Sequence, residues 1–396
     1  MSDLRFAIIG CGYVADFYMQ TVQNHPEATV VRAFDIEPAH AERFTRYWKV
    51  PAVTSAEAFF EDLEVDAILN LTNPDSHFDV SKMCLNQGYS VYSEKPLAMR
   101  YDDIVTLQDL AKEKQLALAS APCNHLSEAV AAMRGALIKG NIGKPLLVYA
   151  EMDDGLIARS PYKSWINPSG APWPYEDEFE VGCTLEHAGY YLTWLIALFG
   201  SITEVHAFSS LCYPGKPVLH GPEAPDFSVA CLKFENGMSA RLTCGVVAPR
   251  DHQFKIFGDE GLMTAEDCWF YETPVAFQRW IRVRRRFMLT PWKTKVKVGN
   301  SPVPLPKSGA AEMDFIRGPI EMVNAVREQR LSLVPLDFCV HFNEVSLAIH
   351  ESKTRKEVYT VKSRCQSYSP IDISKDETTK DLSFFERKIL PLLGRL

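Results

Sequence analysis

The first fifteen residues restrict the fold more than anything that follows. Residues 4–9, Leu-Arg-Phe-Ala-Ile-Ile, form an apolar, strand-like run that leads straight into Gly10-Cys11-Gly12-Tyr13-Val14-Ala15 and then into a helical pattern. This is G-x-G-x-x-A between a strand and a helix. Gly10 permits the tight turn, Gly12 lets a pyrophosphate approach the backbone, and Ala15 lets helix and strand pack closely. The helix start adds free N–H groups and a positive dipole end. Alone, the glycines would show only a turn. Here a second strand-like run, 29–34, ends at Asp35, about 20 residues further on. A carboxylate there binds the two adenosine ribose hydroxyls and repels a 2′-phosphate. Ile36, not an arginine, comes next, so the expected cofactor is NAD in preference to NADP.

The alternation continues. Helical patterns at 41–47, 56–63, 80–86 and 104–114 are separated by apolar runs at 67–71, 89–92 and 116–119. This spacing predicts a Rossmann-type, doubly wound parallel sheet. Ligands bind outside the carboxyl ends of such strands. Three stretches fall on that edge: Thr72-Asn73-Pro74 with His77 just beyond, Ser93-Glu94-Lys95-Pro96, and Asn124. A glutamate, a lysine and a proline in succession are poor core material, and proline after lysine fixes the turn and aims the Lys95 side chain. By themselves Lys95 would be a solvated loop residue and His77 a helix-start residue. The glycine turn and Asp35 make both candidate ligand contacts.

Gly10-x-Gly12-x-x-Ala15, the Thr72–Pro74 loop and Glu94-Lys95-Pro96 at this spacing resemble the Gfo/Idh/MocA family. These are sugar and cyclitol oxidoreductases related to glucose–fructose oxidoreductase and inositol dehydrogenase. The resemblance covers residue 4 to about residue 358. It implies that Lys95 contacts the reacting hydroxyl and that Glu94 helps position sugar and nicotinamide. Motif and resemblance together give the expected cofactor contacts: Gly10, Gly12, Tyr13, Val14, Ala15, Asp35, Thr72, Asn73, Pro74, His77, Glu94, Lys95 and Asn124.

A chain of 396 residues is too long for one ordinary core. The strand–helix alternation stops near Gly140 to Pro145. The expected division is an NAD-binding domain over 1–122, an α+β substrate and oligomerisation domain over 123–371, and an amphipathic tail over 372–396. Residues 153–181 are rich in Pro, Gly and aromatics, including Trp165, Trp173 and Tyr175. Such a long loop either lines a binding site or packs on itself. Residues 182–195 then carry a helical pattern. Leu185, Ala188, Leu192, Leu195 and Phe199 share one stripe. Cys183, Glu186, Tyr190 and Thr193 share the other side, with His187 at its margin. One carboxylate among Cys, Tyr, Thr and His suggests a face looking into a cleft; a structural Glu–Tyr hydrogen bond is the alternative. The resembling family places D-x-x-x-H here, with tyrosine for the histidine in relatives of glucose–fructose oxidoreductase. This chain has Glu186-x-x-x-Tyr190. Tyr190 is the first candidate for the acid/base partner of Lys95 and His187 the second, and Trp165, Glu186, His187 and Tyr190 join Lys95 as substrate contacts. Lysine and tyrosine both titrate near 10, so Glu186 and the cofactor are expected to bring them toward working pH.

From residue 203 the period becomes two, with strand candidates at 203–209, 227–234, 238–245, 254–257 and 262–266 and a hairpin signal at Asn236-Gly237. They predict a large, open, mainly antiparallel sheet covered by helices on one face, the other face being free for a second subunit. The resemblance implies a homodimer or homotetramer through that sheet. Residues 279–297 hold eight basic residues with Trp280, Phe287 and Trp292, which reads as a solvated face or insertion or, in its sharper form, a phosphate contact. Helices are expected at 313–326 and 338–352. The net charge of −8 gives no general attraction to nucleic acid. Ten cysteines show no metal spacing, so no metal is expected. With no basic leader and no apolar run of about 18 residues, a cytoplasmic protein without a membrane span is expected.

The expected function is NAD-dependent hydride transfer at a hydroxyl-bearing carbon of a sugar, sugar derivative or cyclitol. The rivals are a redox-neutral, NAD-dependent enzyme of the same family that cleaves or epimerises its substrate, and a non-catalytic NAD-sensing protein.

Overall fold

The computed structural model describes residues 4–306, 312–355 and 357–368. The amino-terminal part alternates as its apolar pattern demands: β1 (Leu4–Ile9), α1 (Tyr13–Val22), β2 (Ala28–Phe34), α2 (Pro38–Trp48), β3 (Ala52–Val53), α3 (Ala56–Phe60), β4 (Ala67–Asn70), α4 (His77–Asn86), β5 (Val91–Ser93), α5 (Tyr101–Lys114) and β6 (Leu118–Ser120). These strands form one sheet ordered β3-β2-β1-β4-β5-β6, every pair parallel. Along β1, Phe6 and Ile8 enter one apolar core while Ala7 and Ile9 enter the other. Both faces are covered, which is why the strand needs so few polar residues. Strand order runs outward from β1 on one side and from β4 on the other. The crevice opens between the carboxyl ends of those two strands.

The rest comprises α6 (Glu128–Ile138), β7 (Pro145–Asp153), α7 (Tyr175–Val181), α8 (Cys183–Phe199), β8 (Ile202–Ser210), β9 (Phe227–Phe234), β10 (Ser239–Gly245), β11 (Phe254–Gly258), β12 (Gly261–Ala265), β13 (Val275–Val283), β14 (Arg286–Leu289), β15 (Thr294–Val296), α9 (Arg317–Arg327), α10 (Leu336–His350) and β16 (Tyr359–Thr360). Ten strands make one sheet, β14-β13-β12-β11-β7-β10-β9-β8-β16, with β15 beside β13. All its pairs are antiparallel except β7 with β10. Val148, Ala150 and Met152 of β7, Leu232 of β9 and Leu242 of β10 are buried on the face that α8 covers. On the opposite face the Arg241 guanidinium lies 4.1 Å over the Tyr149 ring, and Phe257 stacks edge-on to Tyr149 at 4.9 Å.

Helix α10 packs against α5 and β6 as well as α8 and β8, so it joins the two sheets. Its Asn343 Oδ1 accepts from the Leu97 N–H at 2.8 Å, two residues past Lys95. Its Cys339 Sγ lies 3.3 Å from the Ser120 N–H.

Several sequence expectations change. The segment 153–181 contains a helix, α7. The expected helix at 313–326 begins at Arg317, because Asp314 is buried and tied to His25 Nε2 at 2.9 Å and to Arg317 Nε at 3.2 Å. The basic stretch becomes the end of β13 with β14 and β15, at one edge of the large sheet. Thr193, assigned to the cleft side of α8, is fully buried and turns its hydroxyl back to the Tyr190 carbonyl at 2.8 Å. The tail at 372–396 lies outside the described residues. Among the described residues no helix is long and apolar enough to cross a membrane, and no cluster of metal-ligating side chains occurs. All ten cysteines are free.

Candidate active site

A cavity of about 830 Å³ opens at the crevice between β1 and β4. Gly10 forms one wall at φ +98°, and a Cβ there would stand 2.5 Å from the Leu71 carbonyl oxygen. Gly12 precedes α1, and a Cβ there would meet nothing within 4 Å. Space is therefore kept in front of the α1 N–H groups, as a pyrophosphate cradle requires. Tyr13 and Val14 line this space; Ala15 is fully buried beneath it. Asp35, at the end of β2, accepts from the Cys11 N–H at 2.8 Å and from the Glu37 N–H at 2.9 Å. These bonds fix the Asp35 carboxylate in the cavity wall at the end of β2. His40 Nδ1 stands 3.5 Å from it, and the Arg43 guanidinium donates to the Cys11 carbonyl at 3.0 Å. Both line the same end.

Thr72, Asn73, Pro74 and His77 also line the cavity. The loop is organised from below by Asn70, whose Oδ1 accepts from the Thr72 hydroxyl at 2.7 Å and whose amide donates to Ser81 at 2.9 Å. His77 places one ring nitrogen 2.6 Å from the Pro96 carbonyl and the other 2.9 Å from the Thr72 carbonyl. Its ring holds the two crevice loops together. Asn124 does not reach the main cavity. Its amide donates to the Cys268 carbonyl at 2.7 Å, beneath Lys95.

Beyond β5, Glu94 is buried, accepting from the Tyr18 hydroxyl at 2.8 Å and from the Lys95 N–H at 3.2 Å. Burial pushes its carboxyl above the usual range against the opposing pull of Lys95. Lys95 reaches across to α8, where its ammonium makes a direct ion pair with Glu186. Cys183, Glu186, His187 and Tyr190 of α8 all line the cavity. The sequence suggested that Lys95 and Tyr190 would be brought down toward working pH. The protein's own groups shift both the other way. Burial works to lower the Lys95 ammonium, but the acidic groups around it, Glu186 first and then Tyr190, Glu178 and Glu94, together outweigh it and leave Lys95 above its ordinary value. Burial pushes the Tyr190 phenol up, although Lys95 opposes the shift. The physical reason is the contact itself: a carboxylate beside a lysine stabilises the cation. Burial holds the His187 imidazole at about 3, so it is neutral.

Residues that the sequence did not single out complete the site. Glu178 of α7 lines the cavity, and burial pushes its carboxyl well above the usual range. The only signal was its place eight residues before Glu186, across a break at Gly182 where φ is +88°. Trp269 stands at the inner end, its ring 5.7 Å from that of Tyr190 and 6.2 Å from that of His187. Trp269 Nε1 and His187 Nδ1 are buried and have no hydrogen-bond partner among the described residues. Both face a cavity that would have to supply the partner. Lys216, also in the wall, is held by Asp226 at 2.8 Å and Glu223 at 3.2 Å.

The long loop after β7 closes over the glycine turn. The buried Asn167 donates to the Tyr13 carbonyl at 2.5 Å, and the Ser169 N–H donates to Asp16 at 2.9 Å. Trp165 and Trp173 lie 5.0 Å apart and both line the cavity, so the aromatics pack on each other and wall the site as well.

Residues 4–121 match an oxidoreductase family described as having an NAD-binding Rossmann fold, and residues 130–264 match the GFO/IDH/MocA C-terminal domain. The chain is 24% identical over 262 residues to trans-1,2-dihydrobenzene-1,2-diol dehydrogenase of Danio rerio, covering 65% of this chain and 73% of that protein. Among solved structures, an NAD binding oxidoreductase from Klebsiella pneumoniae superposes with a TM-score of 0.73 at 17% identity, over 91% of this chain and 99% of that one. The WlbA dehydrogenase from Bordetella pertussis, in complex with NADH and UDP-GlcNAcA, gives 0.68 at 16% identity, over 91% and 98%.

Proposed function

The chain belongs to the GFO/IDH/MocA family of NAD-binding oxidoreductases, and from that premise we propose that it transfers a hydride between nicotinamide and a hydroxyl-bearing carbon of a sugar-like polyol. The observation that carries the reading is the Lys95–Glu186 ion pair in the wall of the cavity that the glycine turn opens. The nicotinamide, when bound, supplies the hydride acceptor or donor. The chain supplies the rest. Lys95, kept cationic, donates a hydrogen bond to the reacting oxygen and stabilises its negative charge as the O–H proton passes to cleft water and the hydride leaves the carbon. Glu186 holds that ammonium in place. Tyr190 offers a phenol donor on the same helix face. Asp35, bonded from two backbone N–H groups, favours NAD over NADP by repelling a 2′-phosphate.

The substrate end is polar but carries no uncompensated cation among the groups described above: Lys216 is doubly paired, His187 is neutral, and Trp269 offers an N–H. Such a surface suits hydroxyl groups. The diol named for the zebrafish relative and the nucleotide sugar bound to the Bordetella neighbour support the same class. The test is a sugar, cyclitol and diol panel followed at the NADH absorbance. NADH appearing on one of them establishes the reading; none reacting in either direction sinks it.

The loop over the glycine turn favours a second reading, in which cofactor is retained and the reaction is redox-neutral. Nicotinamide that copurifies and never accumulates as NADH would select it. The face of the large sheet opposite α8, with Tyr149, Arg241 and Phe257 and no covering helix among the described residues, supports a homodimer or homotetramer built through that face.

A further inference from the structure

The basic stretch lines no part of the cavity and folds into a projecting hairpin. β13 pairs with β12 only as far as Arg279, opposite Gly261, and with β15 only over Val275–Phe277. Further along it pairs with β14: Trp280 with Leu289, Ile281 with Met288, Arg282 with Phe287 and Val283 with Arg286. At about 3.4 Å per residue, the three steps from Trp280 to Val283 carry the tip roughly 10 Å outward. Arg284 and Arg285 form the turn. Arg284 has φ 54°, a left-handed conformation that glycine takes freely and that here carries a charged side chain. Phe287 is 72% exposed, Met288 51% and Trp292, just after β14, 44%. Arg282, Arg284, Arg285 and Arg286 are exposed around them. The chain has no Asp or Glu from 273 to 311, although its net charge is −8. A hairpin kept only for stability would bury its apolar side chains and mix its charges.

We infer that the β13–β14 hairpin docks the enzyme on a membrane surface that carries anionic lipid. The guanidinium groups meet lipid phosphates, and Phe287 and Met288 enter the boundary of the acyl chains. Such a boundary offers anions and, about 5–10 Å deeper, an apolar medium, which matches the reach of the hairpin. A second copy of the chain fits this edge poorly, because two such edges would set arginine against arginine. Duplex nucleic acid offers phosphate to the arginines but nothing apolar for Phe287 and Met288 to enter. The surface is separate from the cavity, so the inference does not depend on which substrate is turned over.

Cosedimentation of the full chain with vesicles is the test. Vesicles of phosphatidylcholine and phosphatidylserine in equal parts should bind it, and phosphatidylcholine alone should not. This comparison needs no variant. Arg285→Gln combined with Arg286→Gln should weaken binding roughly 30-fold, since each cation near such a surface is worth about fivefold. Phe287→Ser should weaken it at least about tenfold, and the loss should persist when added salt screens the charges. Both variants should keep the wild-type unfolding temperature and NAD affinity. Binding to neither vesicle, or equal binding to both, overturns the inference. So does vesicle binding that both variants retain, or a wild type that binds single-stranded RNA more tightly than the anionic vesicles.

Discussion

The ammonium of Lys95 touches the carboxylate of Glu186, 91 residues further along the chain. One comes from the edge of the parallel sheet, the other from the helix that covers the antiparallel one. Glu186 is held low by Lys95 and Lys95 is held high by Glu186, so each fixes the other's charge. Lys95→Met removes the charge and keeps most of the volume. It is expected to lower kcat roughly 100- to 10,000-fold, the range for a positioned proton-transfer group. NAD affinity should hold, because the Gly12 and Asp35 end is untouched. Full turnover in this variant would remove Lys95 from the mechanism.

The two glycines of the turn separate folding from binding. Gly10→Ala puts a Cβ 2.5 Å from the Leu71 carbonyl at φ +98°, so it strains the backbone in a state where no cofactor is needed. Its thermal unfolding should shift down by the equivalent of at least 1 to 3 kcal/mol, as a non-glycine residue in such a conformation costs. Gly12→Ala clashes with nothing within 4 Å. It should unfold like wild type yet bind NAD much more weakly in calorimetry. Equal NAD affinity would mean that the pyrophosphate does not lie there.

The strands and crevice edges could be read from the sequence because they rest on local rules. Buried parallel strands are short apolar runs, and their carboxyl ends are marked by Gly10, Asp35, Thr72 and Glu94. What lay outside its reach depends on packing between distant segments. The place of Glu178 in the cavity wall depends on a break at Gly182, between two consecutive helices that both line it. Trp269 follows β12 and meets α8 only in the fold. Asn124 sits on the predicted edge but is drawn away by the Cys268 carbonyl. The direction in which the protein's own groups shift Lys95 and Tyr190 follows from contact and burial, which residue types alone do not specify.

Asn167 ties the long loop to the Tyr13 carbonyl, over the pyrophosphate cradle. Asn167→Ala removes a bond worth about 1 kcal/mol. NAD dissociation, followed by stopped-flow fluorescence, should accelerate roughly fivefold with little change in the unfolding temperature. An unaltered rate would show that the loop does not retain the cofactor.

Tyr149 of β7 lies in the middle of the sheet face opposite α8, under Arg241 and beside Phe257. Tyr149→Ala should convert an oligomer to monomer in sedimentation velocity, because it removes the ring on which Arg241 and Phe257 pack in the middle of that face. A wild type that is already monomeric at micromolar concentration removes the sheet-to-sheet assembly altogether.

Acid should destabilise the fold through histidines buried as neutral rings. His341 Nε2 accepts from the Ile202 N–H at 2.9 Å, which fixes the neutral tautomer, and its Nδ1 lies 2.9 Å from the Ser363 hydroxyl. Burial lowers His341 and His125 to about 4 and His187 to about 3. An unfolded histidine titrates near 6.5. Above that value both states are neutral and these groups contribute no pH dependence. Between 6.5 and about 4 the unfolded chain takes up protons that the folded one refuses, so stability falls as pH falls. Each unit of separation is worth about 1.4 kcal/mol, which makes His341 alone worth a few kcal/mol by pH 4. His25 acts in the opposite sense: burial works to lower it, but the hydrogen bond to Asp314 raises it overall. Its contribution is fully present below 6.5 and lost as pH rises past its folded value, so it works against the other three. Urea midpoints measured from pH 7.5 to 4.5 should therefore decline. His341→Gln, which loses the titrating ring, should be less stable at pH 7.5 but decline less steeply. A flat profile for the wild type would mean that these rings are not held neutral.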